Sequence, residues 1–187
     1  MKLATFRHAG AERIGALTGD GTHLVDFAAA SDGDPRLASM LALIEAGEAT
    51  LAEAGALAER AERDGAHLLA LDAVELLAPI PVPPQIRDFS VFPTHVVQAP
   101  VGMQKLAAAL KGEPIPDIQP GAVPEIYRAQ PIYYLTNRFS VVGPGSTVTW
   151  PRYSQYMDFE IEIAAVLGTG GKDIPVEAAR EHIFGYT

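Results

Sequence analysis

The sequence predicts an α+β fold, with a small N-terminal α+β domain over residues 1–78 and a mostly β remainder over residues 79–187. Three observations predict it. Short apolar runs of strand length alternate with turn residues at the N-terminus, one long stretch then carries helical periodicity, and a proline-rich break is followed by further short strand-like runs.

The N-terminal runs are Lys2–Arg7, Arg13–Leu17 and His23–Phe27, separated by Gly10 and by Thr18-Gly19-Asp20-Gly21. Asp-Gly between two apolar runs signals a hairpin, because glycine adopts the positive φ that a tight turn needs. Residues 36–64 read as helix, with Leu37, Met40, Leu41, Ile44, Leu51 and Leu57 as apolar positions and with Gly47 and Gly55 as interruptions. Asp72–Leu77 is a short apolar segment. It feeds into Pro79-Ile80-Pro81-Val82-Pro83-Pro84, which continues neither a helix nor a central strand, since proline lacks the backbone donor both require. A helix is expected over 96–112, ending at Gly112, and a long loop or lid over 113–131, where five prolines fall. Strands are expected at Ile132–Leu135, Ser140–Val142 and Thr147–Trp150, with Gly143-Pro144-Gly145 as a turn.

Composition narrows the function. The net charge is −9, from 14 basic and 23 acidic residues, which opposes binding to nucleic acid or to an anionic membrane. No apolar run approaches the ~20 residues of a membrane helix, and the N-terminus has no signal-peptide pattern. The chain has no cysteine, which excludes disulfides, thiolate metal sites and cysteine nucleophiles and makes the cytoplasm the expected location. Any metal must use carboxylate, imidazole, carbonyl or water ligands, a set that suits Mg²⁺, Mn²⁺ or Ca²⁺.

The clearest alternation is Asp158-Phe159-Glu160-Ile161-Glu162-Ile163-Ala164-Ala165-Val166-Leu167. It predicts a strand with Phe159, Ile161, Ile163, Ala165 and Leu167 on one face. The other face begins with Asp158, Glu160 and Glu162 and turns apolar at Ala164 and Val166, so the strand is expected to enter a buried region with Glu160 and Glu162 on its inner face. Their Cα atoms would lie roughly 6.5–7 Å apart, and two anions that close in a partly buried place repel unless a cation sits between them. A hard divalent cation serves that purpose; ordinary surface glutamates on a solvated edge are the alternative.

The segment Met157–Gly168 resembles the metal strand of the fumarylacetoacetate hydrolase family, an acidic residue followed by Glu-x-Glu and an apolar run ending in glycine. Further resemblances occur in the same order. They are Leu76–Pro81, Arg87-Asp88-Phe89 with His95 seven residues after Asp88, Pro131–Tyr134 through Ser140–Gly143, and Gly171–Ile174 through His182–Thr187. The likeness spans about 76–187, and residues 1–75 suit the small domain common in the family. It implies part of a distorted β-roll or barrel, incomplete in this chain, and a homodimer.

The resemblance also implies roles. Glu160 and Glu162 would be metal ligands, joined by Asp88, whose other reading is a helix or turn cap. His95 would be the catalytic histidine that activates water, its other reading being a surface or lid histidine stacked on Pro93. Tyr134 and Arg138 would bind substrate, against a core aromatic and a surface arginine. Ser90 stands where relatives often carry tyrosine, and Gln98 where some carry a glutamate paired with the histidine. The family pattern places a third metal carboxylate beyond Phe184-Gly185-Tyr186-Thr187, so the chain is expected to be a truncated or split form that pairs with a missing C-terminal half.

The implied activity is divalent-metal-dependent hydrolysis of a C–C bond in a small dioxo acid, with Mg²⁺ or Mn²⁺ as cofactor and Ca²⁺ as a further option. The same site could instead decarboxylate, hydrate or isomerise. The alternatives of another class are a non-catalytic fragment that self-associates, and an acidic β-rich binding domain without metal. Solvent-facing Glu160 and Glu162 would favour the last.

Overall fold

The computed structural model describes all residues, Met1–Thr187. Two compact units divide the chain, one made of Met1–Val82 with Val141–Thr187 and the other of Pro83–Ser140. The α+β class expected from the sequence is what is observed. No helix is long and apolar enough to cross a membrane.

Strands β1 (Leu3–His8) and β2 (Ala11–Leu17) pair antiparallel from Leu3↔Ala16 to His8↔Ala11. Ala9 and Gly10 alone join them, with φ of 48° and 79°. Positive φ at both central residues is the turn whose twist matches a two-residue hairpin. Strand β3 (His23–Asp26) pairs with β2 from Leu17↔Leu24 to Gly15↔Asp26.

The turn between β2 and β3 is held by Asp20. Its Oδ1 accepts from Thr18 Oγ1 at 2.6 Å and from the Thr22 N–H at 3.0 Å, and its Oδ2 accepts from Thr22 Oγ1 at 2.8 Å. These bonds, the Thr18 hydroxyl first, lower its pKa from 3.8 to about 2. A depressed carboxylate stabilises the fold above its unfolded pKa and loses that contribution as pH falls through the folded value. The turn is therefore expected to loosen between about pH 4 and pH 2. Carboxyl-detected NMR titration should place Asp20 near 2 and show an upward move in Thr18→Val; an unchanged midpoint would remove the Thr18 bond as the main cause.

Helix α1 (Phe27–Ala30) follows β3 directly, its first N–H groups capped by the Asp26 carboxylate. After a 3₁₀ turn at Pro35–Leu37 comes helix α2 (Met40–Asp64), capped by Ser39, whose hydroxyl accepts from the Ala42 N–H at 3.1 Å, and stopped by Gly65 at φ 65°. Gly47 breaks the helical backbone at φ 79°, whereas Gly55, expected to interrupt it too, stays helical. The buried stripe keeps its seven-residue spacing across the break, as Leu43, Thr50 and Leu57 show. It runs Met40, Leu43, Ile44 before Gly47 and Thr50, Ala54, Leu57, Ala61 after it. Both parts pack with Ile14, Ala16, Val25 and Phe27 to form the core.

Two short strands complete the sheet. β4 (Leu68–Ala70) pairs with β3, and β5 (Glu75–Leu76) pairs with β1, giving the order β4-β3-β2-β1-β5, antiparallel throughout. Thr5 Oγ1 donates to the Pro79 carbonyl at 2.6 Å, fixing where the chain leaves this sheet.

In the second unit, β6 (Arg87–Phe89) leads to helix α3 (Pro93–Lys111), a one-turn helix α4 (Ile126–Ala129) and strand β7 (Tyr133–Leu135), which pairs with β6. α3 starts three residues earlier than the expected 96, with Pro93 in its first turn, where proline's missing N–H costs nothing. It ends at Gly112, φ 69°, as expected. The long loop at 113–131 is present apart from α4.

The first unit resumes with β8 (Ala165–Leu167) and β9 (Ile183–Tyr186), joined through a 3₁₀ segment at Val176–His182. They pair antiparallel, and Val166 and Phe184 pack against the α2 core. Here the expectations need correcting. Ser140–Val142 and Thr147–Trp150 form no strands, and of Asp158–Leu167 only the last three residues are strand. Alternation needs a ladder partner to become a strand, and no strand pairs with residues 158–164 beyond the Ala164–Thr187 bonds. Phe159, Ile161 and Ile163 are accordingly 81%, 91% and 83% exposed.

Candidate functional site

Glu160 and Glu162 lie in the first unit, in the segment that precedes β8. Both are exposed, not on the buried inner face that the alternation implied. Asp158, at the start of the same segment, accepts from the Phe159 N–H at 2.8 Å. The segment offers oxygen donors only, the kind a hard cation takes.

The other candidates lie in the second unit. β6 and β7 set Asp88 directly opposite Tyr134 in the antiparallel register, so these two side chains share a face of the two-stranded sheet. Asp88 is half-buried and Tyr134 69% exposed. Asp88 sits in a strand and caps no helix. Arg87, Phe89 and Tyr133 occupy the opposite face, where the Arg87 guanidinium lies 4.9 Å from the Tyr133 ring centre and the Phe89 and Tyr133 rings are 5.2 Å apart. This stack stiffens the sheet that carries Asp88 and Tyr134.

His95 is in the first turn of α3 and exposed. Arg138 donates from Nη1 to the Pro83 carbonyl at 2.9 Å, and its guanidinium lies 4.7 Å from the Phe139 ring centre. One donor of its fork is thus committed to the protein. Neither unit alone gathers three His, Asp or Glu side chains into a group that could hold a metal ion.

Sequence reading did not single out a cavity in the second unit lined by Ser90, Tyr127 and Arg128 with apolar neighbours. No periodicity points to it, because Tyr127 and Arg128 come from a proline-rich loop whose one helical turn is too short to show a pattern.

The fold and these residues define an α+β chain whose candidate groups are carboxylates, an imidazole and phenolic and guanidinium donors. Residues 98–187 match the family described as fumarylacetoacetate (FAA) hydrolase C-terminal. The full chain is 30% identical to the mitochondrial oxaloacetate tautomerase fahd2 of Xenopus laevis, covering 100% of this chain and 50% of that protein. A fumarylacetoacetate hydrolase structure from Exiguobacterium antarcticum superposes with a TM-score of 0.59 at 25% identity, over 100% of this chain and 53% of that one. The fold is also that of a maleylpyruvate hydrolase from Sphingobium in complex with manganese(II) and pyruvate, with a TM-score of 0.59 at 19% identity over 100% of this chain and 56% of that one. Residues 98–187 therefore belong to the fumarylacetoacetate hydrolase family, and the chain as a whole aligns with its members. It spans about half the length of the curated full-length relatives it matches.

Proposed function

We propose that this chain contributes part of the active site of a divalent-metal enzyme acting on small dioxo acids, with cleavage of a C–C bond as its reaction. The observation that carries this is the family match over residues 98–187, a range that includes the Glu160-x-Glu162 segment. The donors suit the ion: Glu160, Glu162 and Asp88 offer hard oxygens and the chain has no thiolate. A protein of the same fold binds manganese(II) and pyruvate, an ion and an oxo acid of the kinds this reading needs.

In this reading Glu160, Glu162 and Asp88 would hold Mg²⁺ or Mn²⁺, with Ca²⁺ a further option. The ion would supply positive charge against the adjacent oxygens of the substrate. His95 takes a proton from water, which attacks the carbonyl carbon, and the imidazolium returns the proton to the departing carbon. Tyr134 and Arg138 orient a substrate carboxylate, the guanidinium through the donors not given to Pro83. The division into a small domain, 1–78, and the start of the catalytic domain, 79–187, belongs to the same proposal, as do a homodimer and a cytoplasmic location.

Two observations favour other readings. A relative over the whole chain is an oxaloacetate tautomerase, which favours proton transfer between carbon and oxygen by the same groups with no bond cleaved. The exposure of Glu160 and Glu162 favours binding without chemistry.

The test is calorimetric titration of the metal-stripped chain with Mg²⁺ and Mn²⁺, beside Glu160→Gln/Glu162→Gln. Binding is expected in the parent and at least ~10-fold weaker in the double variant, since the carboxylates are the charged ligands. Equal binding in both, or none in a chain shown by circular dichroism to be folded, would remove these glutamates as a metal site of this chain.

A further inference from the structure

The Pro83–Ser140 unit contains a cavity of about 60 Å³ lined by Ser90, Tyr127 and Arg128 and walled by Val91, Pro93 and Val96. A water molecule's share of liquid volume is about 30 Å³, and whole-ligand pockets run to about 300 Å³ and more. The cavity is thus the size of one terminal group of a ligand, not of a whole metabolite.

Its polar lining is built from two directions. Ser90 follows β6 and is anchored there by its N–H, which donates to the Ile132 carbonyl at 3.0 Å, so its hydroxyl is not needed by the sheet. Tyr127 and Arg128 come from α4, held by N–H bonds to the Pro124 and Glu125 carbonyls at 3.1 and 2.9 Å. No side-chain hydrogen bond or ion pair within the protein engages the Ser90 hydroxyl, the Tyr127 hydroxyl or the Arg128 guanidinium, although Glu125 is only three residues from Arg128. The arginines that do form ion pairs, Arg7, Arg13, Arg36 and Arg63, all lie in the other unit. Tyr127 is half-buried and Arg128 exposed.

Three of the residues lining this small volume carry a permanent cation and two hydroxyls, a set suited to a planar anion. The arginine fork matches the two oxygens of a carboxylate, and the valine and proline walls suit the carbon attached to it. Pro93 and Val96 flank His95 on the first turn of α3, so the cavity lies beside the element that carries the imidazole.

We propose that Ser90, Tyr127 and Arg128 form a subsite for the terminal carboxylate of a small oxo-dicarboxylic acid. This rests on the preceding reading that the chain acts on small oxo acids and narrows the substrate class to those with a second acid group. Arg128 is the group that sets this specificity, and Ser90 keeps the cavity open by its small size.

The test uses the ¹⁵N-labelled full chain, freed of metal on a chelating resin so that no carboxylate chelator is present. Sodium acetate and sodium succinate are titrated against sodium chloride at matched ionic strength. Saturable shifts of the Ser90 amide and the Arg128 Nε–H are expected with both carboxylates and not with chloride. Arg128→Gln should weaken binding roughly 10-fold or more, with Arg128→Lys in between, because lysine keeps the charge and loses the fork. Ser90→Tyr should abolish binding with Arg128 intact, by filling the cavity. No saturable response in the folded parent chain, equal binding in Arg128→Gln, or retained binding in folded Ser90→Tyr would each overturn the subsite. Metal titration of the same samples separates the two proposals. Carboxylate binding without metal binding removes the metal site alone, and the reverse removes the subsite alone.

Discussion

Replacing Asp26 with alanine is expected to cost about 3–5 kcal/mol, the scale of breaking a buried ion pair from one side. The Asp26 side chain is 4% exposed and pairs with Arg13 Nη1 across β2 and β3. Its other oxygen accepts from the N–H groups of Ala28 and Ala29 at 3.1 and 3.4 Å, which makes it the cap of α1. Alanine therefore removes three bonds at once. It leaves a guanidinium that is only 30% exposed without its partner, and it frees the first turn of a helix four residues long. Phe27, fully buried, is the first residue of that helix, so loss of the cap is transmitted directly to the core.

Against a typical total stability of about 5–15 kcal/mol, this is a large fraction. The midpoint of thermal unfolding should fall by on the order of 10 °C. Asp26→Asn separates the contributions, because an amide oxygen still caps the helix while the charge is gone. It should cost clearly less than alanine. Thermal and urea unfolding of both variants decide the matter. A shift under about 1 kcal/mol in Asp26→Ala would mean that the pair and the cap are worth no more than a surface contact.

The parts of the fold legible in the sequence are those dictated locally. Gly10 and Asp20-Gly21 mark the two turns because positive φ is a property of single residues, and β1 to β3 follow from them. α2 is legible because 25 residues carry enough periodicity to survive one break. β4 and β5, three and two residues long, exist only through their ladders with β3 and β1, and nothing in Leu68–Ala70 or Glu75–Leu76 names those partners. The converse holds at 158–164. There the alternation is the clearest in the chain, yet no neighbouring strand pairs with it and Ile161 is left 91% exposed. Among the candidate groups, the spacing of Glu160 and Glu162 is visible in the sequence, and so is the match of Asp88 and His95 to a family pattern. That Asp88 faces Tyr134 is a fact of register between strands more than 40 residues apart. The Tyr127–Arg128 pair is invisible for a similar reason, since a proline-rich loop carries no pattern that says which of its side chains line a cavity.

Gly15→Ala is expected to disrupt the sheet more than any other single methyl group added to it. A Cβ at Gly15 would lie 2.1 Å from the Val25 carbonyl oxygen, 3.1 Å from its carbon and 3.2 Å from Cε1 of Phe6. The first contact is with backbone, which has no rotamer to change, so β2 and β3 must separate locally. Val25 and Phe6 are 1% and 0% exposed, and neither has space to retreat into. Overpacking a well-filled core costs about 1–3 kcal/mol when side chains can adjust; a clash with backbone should exceed the upper end of that range. Gly15 pairs with Asp26 in the ladder and Arg13 lies two residues before it on β2, so the displacement also opens the Arg13–Asp26 pair. The two lesions then share one set of contacts, and Gly15→Ala/Asp26→Ala should destabilise by less than the sum of the single variants. Urea unfolding of the two single variants and the double variant measures that coupling. Strict additivity would show that β3 keeps its position despite the methyl group and that the strain is taken up elsewhere in the sheet.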